Sequence, residues 1–500
     1  MKVFSALSQN IAHVNETFSG CGDIVSRKFP VANGQIGIFV IYIDMLVNAD
    51  VIDRTIMMPL IARAWNISSE PESRDIGVFE HLKNEGMTRA DIREADDFGA
   101  IFTAIMSGDA AVFIDGSAKA VLVSSKGYPN RGVTTAETEV VVYGSKEAFS
   151  EVFRFNTALI RRRVRDANLK INQLKVGKRS QTDLALVYIK DVVRPQILNE
   201  VKSRISKINI DAVQDSGYIA QLIEDSRFSP FPQIQVTERP DKAASAVLEG
   251  RIVIVTDNSP FVLIVPATLG VFFQSSEDYY ERWHIMSFLR LLRLAAAVIS
   301  CVLPGAYIAA AVYHPSMIST PLILKMAEAR QNIPLSAAFE VLVMDLAFEL
   351  IREAGIRLPG AIGSTIGIVG GIILGQAAVE AGLVSPIVVI VVALTGIAAF
   401  TVPTSSFTSG IRLTKYFILI ASCFLGMFGF WLACILVLAH LASLKSFGVP
   451  YTFPFSSPDL NGYTDIKDSV FRVPLFFMRK RPIFANKAQS VRMNMKDSRK

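Results

Sequence analysis

YFILIASCFLGMFGFWLACILVLAHLASL, Tyr416–Leu444, runs for 29 residues without Asp, Glu, Lys or Arg. A helix crosses roughly 30 Å of hydrocarbon with about 20 mostly apolar residues. Uncharged apolar runs longer than about 18 residues argue for a membrane span rather than a soluble core helix. The stretch therefore reads as membrane-spanning. Toward the N-terminus, Ala361–Ile411 carries Glu380 as its single charge in 51 residues, and Leu294–Leu324 carries none in 31. The first 286 residues offer no comparable run. Composition agrees: 51% of the 500 residues are hydrophobic and 19% charged, against about 25% charged in an average soluble domain. These figures exclude a disordered chain and a coiled-coil rod, and four cysteines do not build a disulfide framework.

The expected fold is a two-part cytoplasmic α/β domain followed by an α-helical polytopic membrane domain. Its expected limits are 1–177 and 178–286 for the two cytoplasmic parts, 287–445 for the membrane domain and 446–500 for a basic tail. Met1–Glu16 (MKVFSALSQNIAHVNE) lacks the apolar core of a secretory signal. Four spans are expected, near 289–312, 361–384, 386–403 and 414–443. Arg282, Arg290 and Arg293 precede the first, and residues 479–500 carry eight Lys/Arg against Asp497. Basic flanks stay on the cytoplasmic side, so both termini face inward and the span count is even. The net charge of +6 is assigned to anionic lipid rather than nucleic acid.

Residues 334–356 (PLSAAFEVLVMDLAFELIREAGI) have helical apolar spacing but carry Glu340, Asp345, Glu349, Arg352 and Glu353. Two readings stay open: an interfacial amphipathic helix with Glu349 and Arg352 paired, or a helix re-entering the protein with its acids facing a water-filled path. Gly363, Gly367, Gly371 and Gly375 recur every fourth residue, a pattern that lets helix backbones approach closely. Gln376 and Glu380 continue that row. An ionisable group within a membrane helix is a functional candidate by default, so Gln376, Glu380, Glu340, Asp345 and Glu349 form a candidate ion pathway. Glu380 has a plainer reading as a headgroup-level charge at the span's end. Pro304 removes a helical donor from the first span and suggests a kink.

In the cytoplasmic half, strands are expected at 36–43, 111–114, 119–123, 139–143, 184–189, 233–237, 251–256 and 261–265. Helices are expected at 146–175, from Pro195, near 217–224, and at 240–249 between Pro240 and Gly250. Strands alternating with helices suggest an open sheet with helices packed on it. No internal repeat stands out. Arg161, Arg162, Arg163 and Arg165 read either as a solvated helix face, with Arg162 and Asp166 paired, or as a contact with a neighbouring subunit or lipid headgroups. No phosphate loop, zinc motif, C-x-x-C or nucleophile elbow occurs. No catalytic residue, metal or cofactor is expected.

Several ordered blocks resemble the A subunits of GerA-type spore germinant receptors. They are Ser229–Gln233 (SPFPQ), Thr237–Asp241 (TERPD), Leu248–Gly250, Ser259–Pro266 (SPFVLIVP), Asp278–Tyr280, Tyr313–Pro315, Glu349–Pro359 (ELIREAGIRLP), Gly375–Pro386 (GQAAVEAGLVSP), Ser446–Pro450 and MRKRP at 478–482. The resemblance implies a homo-oligomeric, nutrient-gated cation channel in the inner spore membrane. It also implies a transporter-like B subunit and a lipoprotein C subunit as partners, and no nucleic acid. The chain departs from the family at Met45, where a Gly is usual, and at Thr134–Glu137, where an acidic-proline signature is usual. A SpoVAF-type paralogue, a secondary transporter and a non-conducting scaffold are the alternative readings.

Overall fold

The computed structural model describes residues 1–31, 36–63, 79–80, 87, 91–128, 136–331, 333–357, 371, 373–456 and 465–493. The chain forms two compact units. The first comprises Met1–Glu224, Ile234–Pro266 and Met478–Lys500; the second comprises Asp225–Gln233 and Ala267–Phe477.

The first unit contains two five-stranded sheets. Strands β1 (Ile24–Val31), β2 (Ile36–Ile43), β3 (Ile92–Ala95), β4 (Asp109–Ile114) and β5 (Ala120–Ser124) are ordered β1-β2-β4-β5-β3. Strands β6 (Leu169–Val176), β7 (Thr182–Ile189), β8 (Gln235–Thr237), β9 (Ile252–Thr256) and β10 (Val262–Val265) are ordered β6-β7-β9-β10-β8. All pairings are antiparallel. Successive side chains leave opposite faces of a strand. Phe39, Ile41, Ala111 and Phe113 therefore join one apolar cluster, while Ile38, Val40, Ala110 and Val112 join another.

The two sheets share one topology, so the unit is an internal duplication, contrary to the expectation of no repeat. Side-chain chemistry repeats with it, 146 positions apart in the leading helices Leu7–Thr17 and Phe153–Arg163. Asn10 accepts from the Phe4 N–H (2.9 Å) and donates to its carbonyl (2.7 Å). Asn156 does the same with Ser150, at 2.8 and 2.6 Å. Each helix offers its first N–H to an Asp following the fourth strand of its sheet: Leu7 to Asp115 (3.0 Å) and Phe153 to Asp257 (3.3 Å). The bond satisfies an orphan helix-end donor and places negative charge at the positive end of the dipole.

The duplication shows where the C-terminal segment belongs. In the first half, Val47 bridges to Lys126, and the Gly127 N–H donates to the Leu46 carbonyl (3.0 Å). In the second half the chain leaves at Pro266. The matching positions are filled from the C-terminus: Val193 bridges to Ala485, and the Asn486 N–H donates to the Val192 carbonyl (2.7 Å). Arg481 donates to the Leu248 carbonyl (2.9 Å) and Arg194 to that of Ala485 (2.9 Å). Gly250 is required here twice: its φ is +89°, and a Cβ would lie 2.7 Å from the Ala485 Cα. Residues 481–486 of the basic tail therefore lie as a strap on the second sheet.

Several expectations change. The helix expected over 146–175 is Phe153–Arg163, after which β6 begins. β6 precedes residue 178, so the second sheet starts before the expected division. Residues 139–143 form no strand, and Val140 and Val142 stand exposed. The TERPD residues hold that segment instead. Glu238 accepts from the N–H groups of Thr138 (2.6 Å) and Glu139 (2.8 Å), and Lys242 pairs with Glu139 at 2.6 Å. Met45 has φ +60°, a left-handed conformation that suits glycine.

The second unit is helical. Among the described residues, Trp283–Tyr313 and Ser405–Ser443 are the two helices long and apolar enough to cross a membrane. Pro386–Phe400 has 15 residues, about 22 Å at 1.5 Å per residue. Ser405–Ser443 is broken at Gly426 (φ +60°, ψ −136°) and folds back on itself. Unbroken, it would separate Phe407 from His440 by about 50 Å, yet the Phe231 ring lies 5.8 Å from the first and 6.3 Å from the second. The span expected at 414–443 is thus replaced by two antiparallel arms, 405–425 and 427–443. Tyr313 covers the bend, and a Cβ on Gly426 would lie 2.7 Å from its ring.

Gly426→Ala should cost on the order of 1–3 kcal/mol through backbone strain, read as a lowered melting temperature of the full chain in detergent.

Candidate functional site

The arginine cluster turns inward. Arg161 is fully buried and grips Asp23 with two bonds (Nε–Oδ2 3.0 Å, Nη2–Oδ1 2.9 Å), donating a third to the Leu169 carbonyl (2.9 Å). It ties the leading helix of the second half to the entry of β1. Arg162 and Arg163 bond Glu147 at 2.5 and 2.6 Å, so Arg162 pairs with Glu147 rather than Asp166. Burial pushes the Glu147 carboxyl up, but these two guanidinium bonds outweigh it and hold the group below its ordinary value. Arg165 remains exposed. Arg290 and Arg293, expected as cytoplasmic flanking charges, both pair with Asp278 at 2.7 Å.

Breaking a buried pair leaves an uncompensated charge. Arg161→Met should therefore destabilise the chain by about 3–5 kcal/mol, and adding Asp23→Asn should recover part of the loss in equilibrium unfolding. A depressed carboxyl contributes stability that is present above its unfolded value and lost as pH falls through the folded one. Glu147→Gln should accordingly flatten the acid limb of stability against pH.

The helical unit holds a second charged cluster. Helix Ala337–Arg357 places Asp345 and Glu349 one turn apart, and arm 405–425 places Arg412 and Lys415 three residues apart, so each pair shares a helix face. The Lys415 Nζ lies 2.7 Å from Asp345 and 3.5 Å from Glu349, while Arg412 lies 3.2 Å from Glu349. Asp345 and Lys415 are 2% and 4% exposed. Arg352 lies over the Phe400 ring at 4.7 Å, and Glu349 turns to the facing arm instead of the expected Arg352 partner. An internal cavity of about 10 Å³ adjoins the cluster, with Ser300 and Thr395 in its wall, room for roughly one water.

The other expected pathway residues lie apart from this seam. Glu340 is buried, pairs with Arg330 at 3.2 Å and accepts the Ser385 N–H at 2.9 Å, at the start of helix Pro386–Phe400. Gln376 donates to Glu380 at 2.9 Å, and both side chains are exposed. A Cβ would lie 3.6 Å from Phe348 at Gly371 and 3.1 Å from Val389 at Gly375. Gly363 and Gly367 lie outside the described residues.

Sequence reasoning missed Arg412 and Lys415 because they fall between two uncharged runs and read as boundary charges. The overlooked signal was helical continuity: Lys415 sits ten residues from either end of arm 405–425. Charge at the middle of an apolar helix is costly and marks function more often than stability.

The family model described as "Bacillus/Clostridium GerA spore germination protein" matches residues 12–484. The chain is 38% identical to spore germination protein KA of Bacillus subtilis over 495 residues, covering 99% of this chain and 89% of that protein. Stage V sporulation protein AF of the same organism is 32% identical over 352 residues, covering 70% and 71%. The N-terminal domain of the A subunit of the Bacillus megaterium spore germinant receptor GerK3 aligns at 29% identity, over 54% of this chain and 98% of that one, with a TM-score of 0.42. From its near-complete match to the family model and to spore germination protein KA, the chain belongs to the GerA family of spore germination proteins.

Proposed function

We propose that the chain is the A subunit of a spore germinant receptor and works as a nutrient-gated channel for monovalent cations. The carrying observation is the seam of Asp345 and Glu349 against Lys415 and Arg412, in which the Asp345–Lys415 pair is buried and the Glu349–Arg412 pair half-buried. Four ionisable groups among apolar helices are expensive to keep, and acidic groups along a path favour cations. The greater identity and coverage of spore germination protein KA, relative to the stage V protein, support a receptor subunit over the AF-type alternative.

The location that follows is the inner spore membrane, with B- and C-type subunits as partners and several copies around one path. Residues 478–493 share a compact unit with residues 1–224, and segments on one side of a bilayer require an even number of crossings. The fold-back at Gly426 adds a crossing. Helix Ala337–Arg357, its acids paired, supplies another, and added to the four expected spans, of which 361–384 lies partly outside the described residues, these give a reading of six crossings. Glu380 and Gln376 stand exposed, open to a neighbouring copy, and Gly375 lets its helix pack closely on Val389.

Full-length chain reconstituted in vesicles should give unitary monovalent-cation currents. Saturable solute uptake without unitary currents would instead support a secondary transporter. Glu380→Ala should change conductance with oligomer size retained in detergent, and unchanged conductance removes Glu380 from the path.

A further inference from the structure

We propose that Lys415 is a tethered counter-ion, its ammonium filling the place between Asp345 and Glu349 that a mobile monovalent cation takes when the path is open. The inference rests on the channel reading and deepens it. Lys415 lies within 2.7–2.8 Å of both Asp345 carboxylate oxygens and 3.5 Å from Glu349. An ammonium is a compact point charge with three donors, which oxygen ligands receive much as they receive an alkali ion. The surroundings hold further oxygen: Ser300 and Thr395 line the adjoining cavity, and each donates its hydroxyl proton to a backbone carbonyl, of Ala297 and Val391. Their lone pairs remain available to a cation in that space.

Charge balance sets the direction of the effect. With Lys415 in place the two carboxylates face Lys415, Arg412 and Arg352, and a mobile cation is repelled. Once the Lys415 charge is removed or withdrawn, Asp345 is left buried without its partner, and a cation entering the cavity takes the place beside that carboxylate. The two charges come from different helices, so a relative shift of helix Ala337–Arg357 and arm 405–425 is enough to exchange the tethered cation for a free one.

The test uses full-length chain in phosphatidylethanolamine–phosphatidylglycerol vesicles, with potassium flux and melting temperature as separate readouts. Lys415→Met should raise basal potassium flux on the order of tenfold, as a closed state weakened by about 1.4 kcal/mol requires, and adding Asp345→Asn should return it to the wild-type level. In detergent, Lys415→Ala should melt higher in potassium or methylammonium chloride than in choline chloride of equal ionic strength, and Lys415→Ala with Asp345→Asn should lose that difference. Wild-type flux from an intact Lys415→Met oligomer, or a double variant as leaky as the single one, overturns the proposal. If Lys415→Met does not assemble, the charge-exchanged Asp345→Lys, Lys415→Asp chain decides: wild-type basal flux supports the pairing and a leak overturns it. Cation-dependent melting of Lys415→Ala without flux from any chain would uphold the site and remove the channel reading. Wild-type currents with neither a Lys415→Met leak nor cation-dependent melting would do the reverse.

Discussion

A carboxylate kept charged inside a dry helical layer needs a cation beside it, and the second unit is arranged around that requirement. Asp345 and Lys415 are both almost wholly buried and bring helix Ala337–Arg357 against arm 405–425. Coulomb attraction strengthens as the local dielectric falls, but desolvation offsets most of the gain. The pair therefore adds little net stability and a great deal of specificity: a slip of either helix by one residue separates the charges. Glu340 shows the same constraint at another place, neutralised by Arg330 while it receives the N–H of Ser385, the residue that caps helix Pro386–Phe400.

The first unit meets a different requirement, that of joining two copies of one fold. Each copy builds an apolar core around its sheet, and Ala158 of the second copy reaches into the core of the first. What holds them together is polar and specific: Arg161 on Asp23, and the Gly22 N–H on the Ile171 carbonyl at 2.9 Å. Arginine suits the junction because its planar fork satisfies both carboxylate oxygens and a carbonyl at once.

Much of the layout was legible in the sequence. β2, β4, β5, β7, β9 and β10 follow apolar runs, and helices Pro195–Ser206 and Pro240–Leu248 open at the prolines that mark them. The failures have physical causes. Residues 139–143 have strand-forming side chains, but the polar contacts of Glu238 and Lys242 hold the segment out of either sheet. The stretch 146–175 was divided because Val164 leaves helical geometry and Arg161 is drawn to Asp23. The duplication was hidden because the residues that repeat, such as Asn10 with Asn156 and Asp115 with Asp257, are few and isolated along the chain. Of the charged seam only the acids were visible. Their partners lie some 70 residues downstream, in what read as a boundary between apolar runs.

The strap carries a consequence for biogenesis. The residues that fill the notch beside Val192 and Val193 are encoded more than 200 positions after β10 closes the second sheet. A ribosome that halts anywhere in the helical unit releases a chain whose second sheet lacks its final bridge. The surface around Gly250 is thus complete only after residues 481–486 have been made and have returned to the sheet.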